Sequence, residues 1–231
     1  MNSLPDALFS NIIWTALHSA HRSFAVTHGL ACRYPSEVVP FAAIAEPTRA
    51  ALDDLAALLG PQPDSVWLFD ASLPSHPALK VLDTLPCLRM VPAEIPLPSP
   101  TRNDILPLTP TDTADMLNLT SVAFPGFFRP RAGEMGAYFG IRDHTGQLVS
   151  MCGERIALTG HAEASGLCTH PDHRGHGYGE ALLWQVLRHQ RDTGVASFFH
   201  VSTANTRAQM LYRRMGCVPV AETVLTRVAL T

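Results

Sequence analysis

LCTHPDHRGHGYGEALL, residues 167–183, joins an extended segment to a helix-like one through a turn that holds three glycines. Gly177 and Gly179 leave the backbone uncovered where the helix EALLWQVLRHQ is expected to begin, and Arg174 adds positive charge. The first N–H groups of a helix have no partner inside it and carry partial positive charge, so this turn suits a pyrophosphate. A plain surface turn is the alternative. Neither GxGxxG nor GxxxxGKS/T occurs, which argues against a Rossmann dinucleotide site and a P-loop.

The composition is that of a folded protein with nearly balanced charge. Of the 231 residues 46% are hydrophobic, and the formal net charge is -3, so we expect no nucleic-acid partner. The sequence has no run of about 18 apolar residues that would predict a membrane span. No basic segment precedes the apolar residues near the N-terminus, as a secretory signal would require. Five cysteines without a CxxC motif favour reduced thiols and a cytoplasmic location.

A proline-rich stretch divides the chain into two parts. Six prolines lie between residues 91 and 110, and we place a linker at about 92–103. The first part, 1–100, is predicted to be a smaller α/β domain with a helix over 8–25, a helix ended by Gly60, and strands in SVWLFD and LKVLDTLPCLRMV. It shows no cluster of chemically active residues, so a packing or dimerising module is the simplest interpretation. A homodimer is therefore one assembly that the sequence leaves open.

The second part, 101–231, has a regular order of elements. Its pattern predicts β-α-loop-β-β-β-α-β-α-β and a mixed α/β sheet. The first helix, TDTADMLNLTSVA, is expected to be capped by Thr111 or Asp112, and a hairpin is expected around the turn 143–146. The segment HAEASGLCT, 161–169, is the strand that leads into the glycine-rich turn, and Gly216 is expected to end the last helix.

Four spaced features resemble the GNAT superfamily of acyl-CoA-dependent N-acyltransferases. They are RGHGYG before EALL, the following strand that ends in HVSTAN, the tyrosine in TRAQMLYRRMG, and the glycine that closes that helix. The family signature is Gln/Arg-x-x-Gly-x-Gly/Ala at a strand-to-helix junction. The resemblance covers about 104–230 and is closest to the subgroup that includes glycine N-acyltransferases. It implies a mostly antiparallel sheet flanked by helices, acetyl-CoA as acyl donor, and a first half that is a degenerate GNAT-like domain in many members.

The same resemblance implies a set of cofactor-binding residues. The strand end would pair with the pantetheine arm, the turn would bind the pyrophosphate through its amides, and an asparagine would contact the CoA arm. Gly175 and His176 fall at the variable positions of the signature, and Thr169 stands where many members have Val or Ile. The residues concerned are Leu167, Cys168, Thr169, Arg174, Gly175, His176, Gly177, Tyr178, Gly179, Glu180 and Asn205.

Glu163 is the candidate general base. Strand alternation places it on one face with His161, Ser165, Leu167 and Thr169. It precedes Arg174 by the spacing that the catalytic glutamate has in histone-acetylating members of the superfamily. In a partly apolar cleft its pKa would be raised, which would make it a better base. A salt-bridged glutamate is the alternative, and Glu154 on the neighbouring strand is a rival.

Tyr212 is the candidate general acid. Ala208, Leu211, Tyr212 and Met215 form one helical stripe, which predicts that the phenol faces inward and could protonate a leaving thiolate. A core tyrosine bonded to backbone is the alternative. We expect a backbone N–H near Leu167 or Cys168 to stabilise the oxyanion.

The aromatic and basic loop 125–139 is the candidate acceptor site. Phe127, Phe128 and Arg129 would bind an apolar or carboxylate-bearing amine, while a packed lid is the alternative. The spacing of Cys168, His170, His173 and His176 also suggests a zinc site, but no second cluster completes it, so no metal is expected.

The sequence as a whole predicts an N-acetyltransferase that moves an acetyl group from acetyl-CoA to the primary amine of a small molecule or amino acid. The amine would attack the thioester directly in a ternary complex. Two alternatives stay open at this point. One is a non-catalytic acyl-CoA-binding sensor or scaffold, and the other is a protein lysine or N-terminal acetyltransferase.

Overall fold

The computed structural model describes residues 6–60, 65–69, 73–93, 102–123 and 125–231. Within these ranges the helices are α1 (Asp6–Phe9), α2 (Ile12–Leu17), α3 (Arg49–Leu59), α4 (Thr113–Ala123), α5 (Tyr178–Asp192) and α6 (Thr206–Arg214). The strands are β1 (Val26–His28), β2 (Ala31–Arg33), β3 (Ala42–Ile44), β4 (Ser65–Phe69), β5 (Leu79–Pro92), β6 (Ile105–Leu108), β7 (Tyr138–Arg142), β8 (Leu148–Leu158), β9 (His161–Thr169), β10 (Ala196–Ser202) and β11 (Cys217–Leu230).

One large sheet organises the molecule. Its strand order is β4-β11-β5-β10-β9-β8-β7-β6, and neighbouring strands are antiparallel except for β9 and β10, which run parallel. A small antiparallel sheet, β1-β2-β3, lies beside it. The expected mixed α/β fold with a mostly antiparallel sheet is confirmed. Among the described helices, none is long and apolar enough to cross a membrane.

The first part of the chain contributes to this large sheet. Strand β5 lies between β10 and β11, with Met90 opposite Phe199 and Leu85 opposite Leu225. One apolar core likewise joins side chains from both parts, such as Ile12 and Phe41 with Ile156 and Phe198. The sheet and the core therefore cross the predicted boundary at residue 100. Most of the predicted linker, 94–101, lies outside the described residues.

The prediction of one continuous helix over 8–25 is wrong. This segment is divided into α1, α2 and a 3₁₀ turn at Arg22–Phe24. Asn11 leaves the helical conformation between α1 and α2, with φ -144°, and its side-chain amide donates to the Ile44 carbonyl of β3 at 2.8 Å. A short polar side chain that bonds to backbone competes with the helix in this way.

The ends of two other helices show which local signals the chain uses. Helix α3 begins after Thr48, whose hydroxyl accepts from the Ala51 N–H at 3.3 Å, and it ends at Gly60 as predicted. Helix α4 is preceded by a 3₁₀ turn, and its predicted cap at Thr111 or Asp112 is displaced to Thr109. The Thr109 N–H donates to the Asp112 carboxylate at 2.8 Å, which is one half of a capping box.

Strand β9 carries the irregularity that shapes the centre of the sheet. Gly166 has φ +66°, and the register with β8 shifts at this point, which marks a β-bulge. On its other side β9 pairs with β10 only as far as Glu163 opposite Phe198. Beyond that pair β10 bonds to β5 instead. The two parallel strands therefore part, and a gap opens between them.

Candidate active site

The gap between β9 and β10 lies between the glycine-rich turn and an apolar cluster with side chains from α5, β10 and α6. The β9 edge from Ala164 to Thr169 no longer pairs with β10, so its backbone is open to a ligand along this side. Ala164 of β9, Phe199 of β10 and Tyr212 of α6 pack in one apolar cluster. The unpaired edge of β9 thus leads towards the start of α5, which follows β9 through the turn.

The turn itself has the backbone of an anion-binding loop. Gly175 and Gly177 have φ +87° and +72°, a region that residues with a Cβ rarely adopt. Gly177 is the N-cap of α5 and supplies no side-chain cap. Within the part of the chain that the structure describes, no acceptor meets the N–H groups of residues 175–180. These amides match the donors that the sequence predicted for a pyrophosphate.

Gly175 adds one detail to the sequence interpretation. It was expected to sit at a variable position of the signature, yet its positive φ makes a glycine as necessary there as at Gly177. Gly179 is different, because its φ is not positive and a Cβ there would meet only ordinary contacts at 3.8–4.0 Å. Two of the three glycines are therefore required by backbone conformation, and the third is not.

Two arginines lie beside this turn. Arg174 is exposed, and its Nε donates to the Thr169 carbonyl at 3.3 Å. Arg102 reaches the same place from the segment before β6. Its guanidinium lies 4.9 Å from the centre of the Tyr178 ring, and its Nη1 donates to the His176 carbonyl at 3.5 Å. No motif in the sequence singled out Arg102, since it is 72 positions before Arg174 and only the fold brings the two together.

The remaining predicted cofactor residues lie along the same path. Leu167 packs towards Gly179 and the α5 core, while Cys168 is buried on the opposite side, where burial raises its pKa to about 12. The Thr169 hydroxyl bonds to that of Ser150 at 2.8 Å. Asn205 is the N-cap of α6, and its Oδ1 accepts from the Ala208 N–H at 3.1 Å. A contact of each with CoA stays a prediction.

Glu163 lies at the closed end of the gap and is fully buried. Its Oε2 accepts from Nε of Arg155 at 2.8 Å, and its Oε1 accepts from Nη2 of Arg155 at 2.7 Å. The ring of His200 adds a bond to Oε1 at 2.9 Å. Burial alone would raise the pKa of Glu163, but Arg155 and His200 outweigh burial and lower that pKa to about 2.

The role predicted for Glu163 is therefore wrong in two respects. Its pKa is lowered rather than raised, and both oxygens are engaged, so it is a poor general base. Its expected place on one face with Leu167 is also wrong, because the bulge at Gly166 turns the strand between them. The rival, Glu154, is engaged as well, since it accepts the Ala137 N–H at 2.9 Å.

His200 links this ion pair to a second buried arginine. Burial, as the largest effect, lowers the pKa of His200, so its ring is neutral at neutral pH. Nε of Arg89 donates to Nε2 of His200 at 3.4 Å, which requires a lone pair on Nε2 and places the proton on Nδ1. Nδ1–H then donates to Glu163. The network holds Glu163 and Arg155 in fixed orientations at the end of the gap.

Tyr212 faces inward as predicted. It is 9% exposed and its ring packs against Phe199 with centroids 4.6 Å apart. Burial raises the pKa of Tyr212 well above its usual range, so the phenol is protonated at neutral pH. Within the described ranges, no hydrogen bond to the Tyr212 hydroxyl occurs. The alternative, a core tyrosine bonded to backbone, is therefore not observed there. Its role as an acid stays a prediction.

The predicted acceptor loop forms one wall of a cavity next to β9. The empty space of about 280 Å³ includes solvent at its open mouth, and the enclosed part, about 10 Å³, has room for about one water. Phe127 and Phe128 line it as expected, together with Val39 from the first part of the chain and Met135. Arg129 does not line it. Its Nε is buried, with no hydrogen-bond partner among the residues that the structure describes.

Three polar residues also line this cavity, and the sequence interpretation missed all of them. They are Tyr138 from β7, Arg155 from β8 and Ser165 from β9. Gly166, the bulge residue, completes the same wall. The sequence signal nearest to Tyr138 is the glycine at position 153. A side chain at Gly153 would clash with the Tyr138 ring, so the glycine leaves room for that ring.

The histidines of the turn point to no metal centre in the described part of the chain. Cys168 is buried, whereas His170 and His173 are partly exposed and near Asp172 and Asp143. No group of three His, Cys, Asp or Glu side chains with suitable placement occurs in the described ranges.

Comparisons with known proteins agree with this geometry. Residues 110–217 match the model of the acetyltransferase (GNAT) family. The chain is similar to the solved structure of a protein from Novosphingobium aromaticivorans DSM 12444 assigned as a GNAT-family acetyltransferase. That similarity has a TM-score of 0.88 and 28% identity and covers 96% of this chain and 98% of that one.

Two more distant structures share the fold. A GCN5-related N-acetyltransferase from Kribbella flavida has a TM-score of 0.62 and 18% identity, with 94% of this chain and 93% of that one covered. A GCN5-related N-acetyltransferase-like protein from Streptococcus suis 89/1591 has a TM-score of 0.53 and 12% identity, with coverage of 95% and 92%. No curated protein matches the sequence. Residues 110–217 therefore match the acetyltransferase (GNAT) family model, and almost the whole chain is similar in structure to a GNAT-family acetyltransferase, which supports a GNAT-type N-acetyltransferase.

Proposed function

We propose that the protein transfers an acetyl group from acetyl-CoA to the primary amine of a small molecule, such as an amino acid. The amine attacks the thioester directly while both substrates are bound. The observation that carries this proposal is the gap between β9 and β10, which lies between the glycine-rich start of α5 and the apolar cluster that contains Tyr212. The resemblance to the glycine N-acyltransferase subgroup supports an amino-acid acceptor.

The donor would lie along the open edge of β9. The amides of residues 175–180 and the charge of Arg174 fit a pyrophosphate at the turn, and Arg102, which pairs with Asp104 at 2.7 Å, lies beside them. The unpaired β9 edge from Ala164 to Thr169 suits an extended pantetheine arm, because that arm has amide groups that can pair with a strand. The thioester would then reach the part of the gap near Tyr212.

The chemistry requires one proton to leave the amine and one to reach the departing thiolate. Because Glu163 is held in its ion pair, we assign the proton of the ammonium group to water rather than to this carboxylate. Tyr212 is protonated and donates its proton to the sulfur as the C–S bond breaks, and water then carries the second proton of the amine nitrogen, released as the amide forms, to the phenolate. Binding both substrates in one orientation supplies much of the rate increase.

Two alternatives have to be distinguished by experiment. The engagement of Glu163 favours a protein that binds acyl-CoA without turnover, since a general base at this place is missing. A protein acetyltransferase would need room for a peptide.

The test is the release of free CoA thiol from acetyl-CoA in the presence of a panel of amines, with a lysine peptide included. We expect acetylation of at least one small amine, and we expect Tyr212→Phe to lower kcat by about 10²-fold with an unchanged Kd for acetyl-CoA. Binding of acetyl-CoA without acetylation of any amine would establish the sensor. Acetylation of the peptide alone would establish the protein acetyltransferase, and unchanged kcat in Tyr212→Phe would remove the acid from the mechanism.

A further inference from the structure

The cavity beside the β9 bulge has one charged residue, Arg155, in a wall that is mostly apolar. Val39, Phe127, Phe128 and Met135 supply its apolar surface. Arg155 reaches it from β8, and 14% of the Arg155 side chain is exposed. An apolar cavity with a single guanidinium in its wall is selective for ligands that bring a matching group to it.

Arg155 keeps part of its hydrogen-bonding capacity for a ligand. Its Nε and Nη2 donate to Glu163, and no described side chain other than Glu163 bonds to it. Nη1 is therefore available for another acceptor. Burial opposes the charge on Arg155, but the carboxylate of Glu163 more than offsets burial, and the pKa of Arg155 is raised.

Tyr138 provides a second donor in the same wall. Its ring is fixed by Gly153, where a side chain would clash, and its hydroxyl lies 3.9 Å from the position that a Cβ on Gly166 would take. Nothing within the described ranges bonds to this hydroxyl. Burial raises the pKa of Tyr138 above its usual range, so the hydroxyl donates a hydrogen bond rather than accepting a proton.

These donors decide how an acceptor amine can lie. An ammonium or amine group next to Arg155 would meet a positive charge, so that end of the ligand must point away from it. An anionic group suits Arg155 and Tyr138, and a carboxylate accepts hydrogen bonds from both. The amine end would then face the open edge of β9, where the proposed function places the thioester.

We propose that this cavity selects an acceptor that carries a carboxylate beside its amine and an apolar side chain, with Arg155 and Tyr138 binding the carboxylate. The inference rests on the proposed function and names its substrate class. The apolar side chain lies against Phe127, Phe128 and Met135. Arg155 and Tyr138 are specificity-determining residues in this arrangement.

The first part of the chain helps to build the same cavity. Val39 lines it directly, and the loop that carries Phe127 and Phe128 is joined to the same region. The Arg131 N–H donates to the Glu37 carbonyl at 2.8 Å, and the Arg131 guanidinium bonds to the Glu37 carboxylate at 3.1 Å. The proposed selectivity is therefore a property of both parts of the chain together.

The test compares three amines of the same shape: L-leucine, L-leucinamide and 3-methylbutylamine. Wild-type protein should acetylate leucine with a kcat/KM about tenfold or more above that for the other two. Leucinamide has the more readily deprotonated amine, so a preference for leucine cannot arise from amine basicity. Tyr138→Phe and Arg155→Lys should reduce this ratio by about tenfold with an unchanged Kd for acetyl-CoA.

Arg191→Lys is the matched control, because Arg191 is exposed near the end of α5 and pairs with Asp192. Tyr138→Phe keeps the ring and guards against a folding defect in Arg155→Lys. Equal or better acetylation of 3-methylbutylamine overturns the inference and leaves the proposed function intact. A second readout, the increase in Tm on adding each amine with CoA, does not depend on turnover. If no amine is acetylated but only leucine raises Tm, and Tyr138→Phe abolishes the increase, the inference stands without the proposed function.

Discussion

At the scale of single residues, Glu163 shows how a correct position can have an unexpected role. Its carboxylate is buried and bonds to Arg155 and His200, so it fixes both groups at the end of the gap. The arginine that lines the cavity is therefore oriented from behind by Glu163. Removing the charge of Glu163 would leave a buried cation without its partner, which is much more costly than losing an exposed ion pair.

We expect Glu163→Gln to lower the free energy of unfolding by about 3–5 kcal/mol, because Arg155 would stay buried without a counter-charge. Urea denaturation at pH 7 measures the change. Glu222→Gln is the matched control, since Glu222 is exposed on β11, and it should change stability by no more than about 0.5 kcal/mol. Equal stability of Glu163→Gln and wild-type protein would contradict the ion pair.

The difference in stability between wild-type protein and Glu163→Gln should depend on pH. The pKa of Glu163 is about 2 in the folded protein, against an ordinary value of 4.5. A lowered folded pKa means that the stabilisation is complete above pH 4.5 and is lost as the pH falls towards 2. The gap in stability between wild-type protein and Glu163→Gln should therefore narrow between pH 5 and pH 3. A gap that is constant over this range would argue against the lowered pKa.

The residues that sequence reasoning found and missed differ for a physical reason. Tyr212 and the turn glycines belong to local patterns, one helical stripe and one strand-to-helix junction, and the chain shows such patterns directly. Arg155 and Arg102 act through partners that only the fold brings near, so no local spacing reveals them. The prediction of a raised pKa for Glu163 failed for the same reason, because that pKa depends on a neighbour on another strand.

At the scale of elements, the three glycines of the turn before α5 contribute unequally to its backbone conformation. Gly175→Ala and Gly177→Ala should each lower the free energy of unfolding by about 1 kcal/mol, because both residues have positive φ. Both changes should also weaken acetyl-CoA binding, since the amides would turn away from their present directions. Chemical denaturation and calorimetry measure the two effects.

Gly179→Ala is the control within the same turn. Its φ is not positive and a Cβ there has only ordinary contacts, so its stability should match that of wild-type protein. If Gly177→Ala were as stable as Gly179→Ala and bound acetyl-CoA equally well, the described conformation of the turn would be wrong.

Most elements of the second part could be predicted because each has its own periodicity and its own end signals. β9, α5 and β10 lie where the sequence placed them. The first predicted helix failed because the Asn11 side chain bonds to β3, a contact that has no local signature. The bulge at Gly166 is likewise invisible to strict alternation, and it changes which side chains share a face of β9.

At the scale of the whole molecule, the position of β5 makes the two parts of the chain interdependent. β5 supplies the strand between β10 and β11, and its removal would leave two strand edges and one face of the core without partners. Strand order is a non-local property, so the proline-rich boundary does not indicate this arrangement.

A fragment of residues 102–231 should therefore fail to fold cooperatively, although it includes the matched family region. Circular dichroism during thermal unfolding and calorimetry with acetyl-CoA test this. The control is the full chain with a protease site placed within 94–101 and cut after purification, which should keep its transition and its binding. A fragment with a sharp transition and the Kd of the full chain would show that β5 is dispensable.

The insertion of β5 also has a consequence for the order in which the protein is made. β5 ends at Pro92, but both of its neighbours in the sheet, β10 and β11, begin only at Ala196 and Cys217. A ribosome therefore releases a long strand well before either of its partners exists. Pairs so distant along the chain form slowly, and an unpaired apolar strand is prone to aggregate in the meantime. We expect the yield of native protein to rise when synthesis proceeds with a chaperone that shields nascent chains.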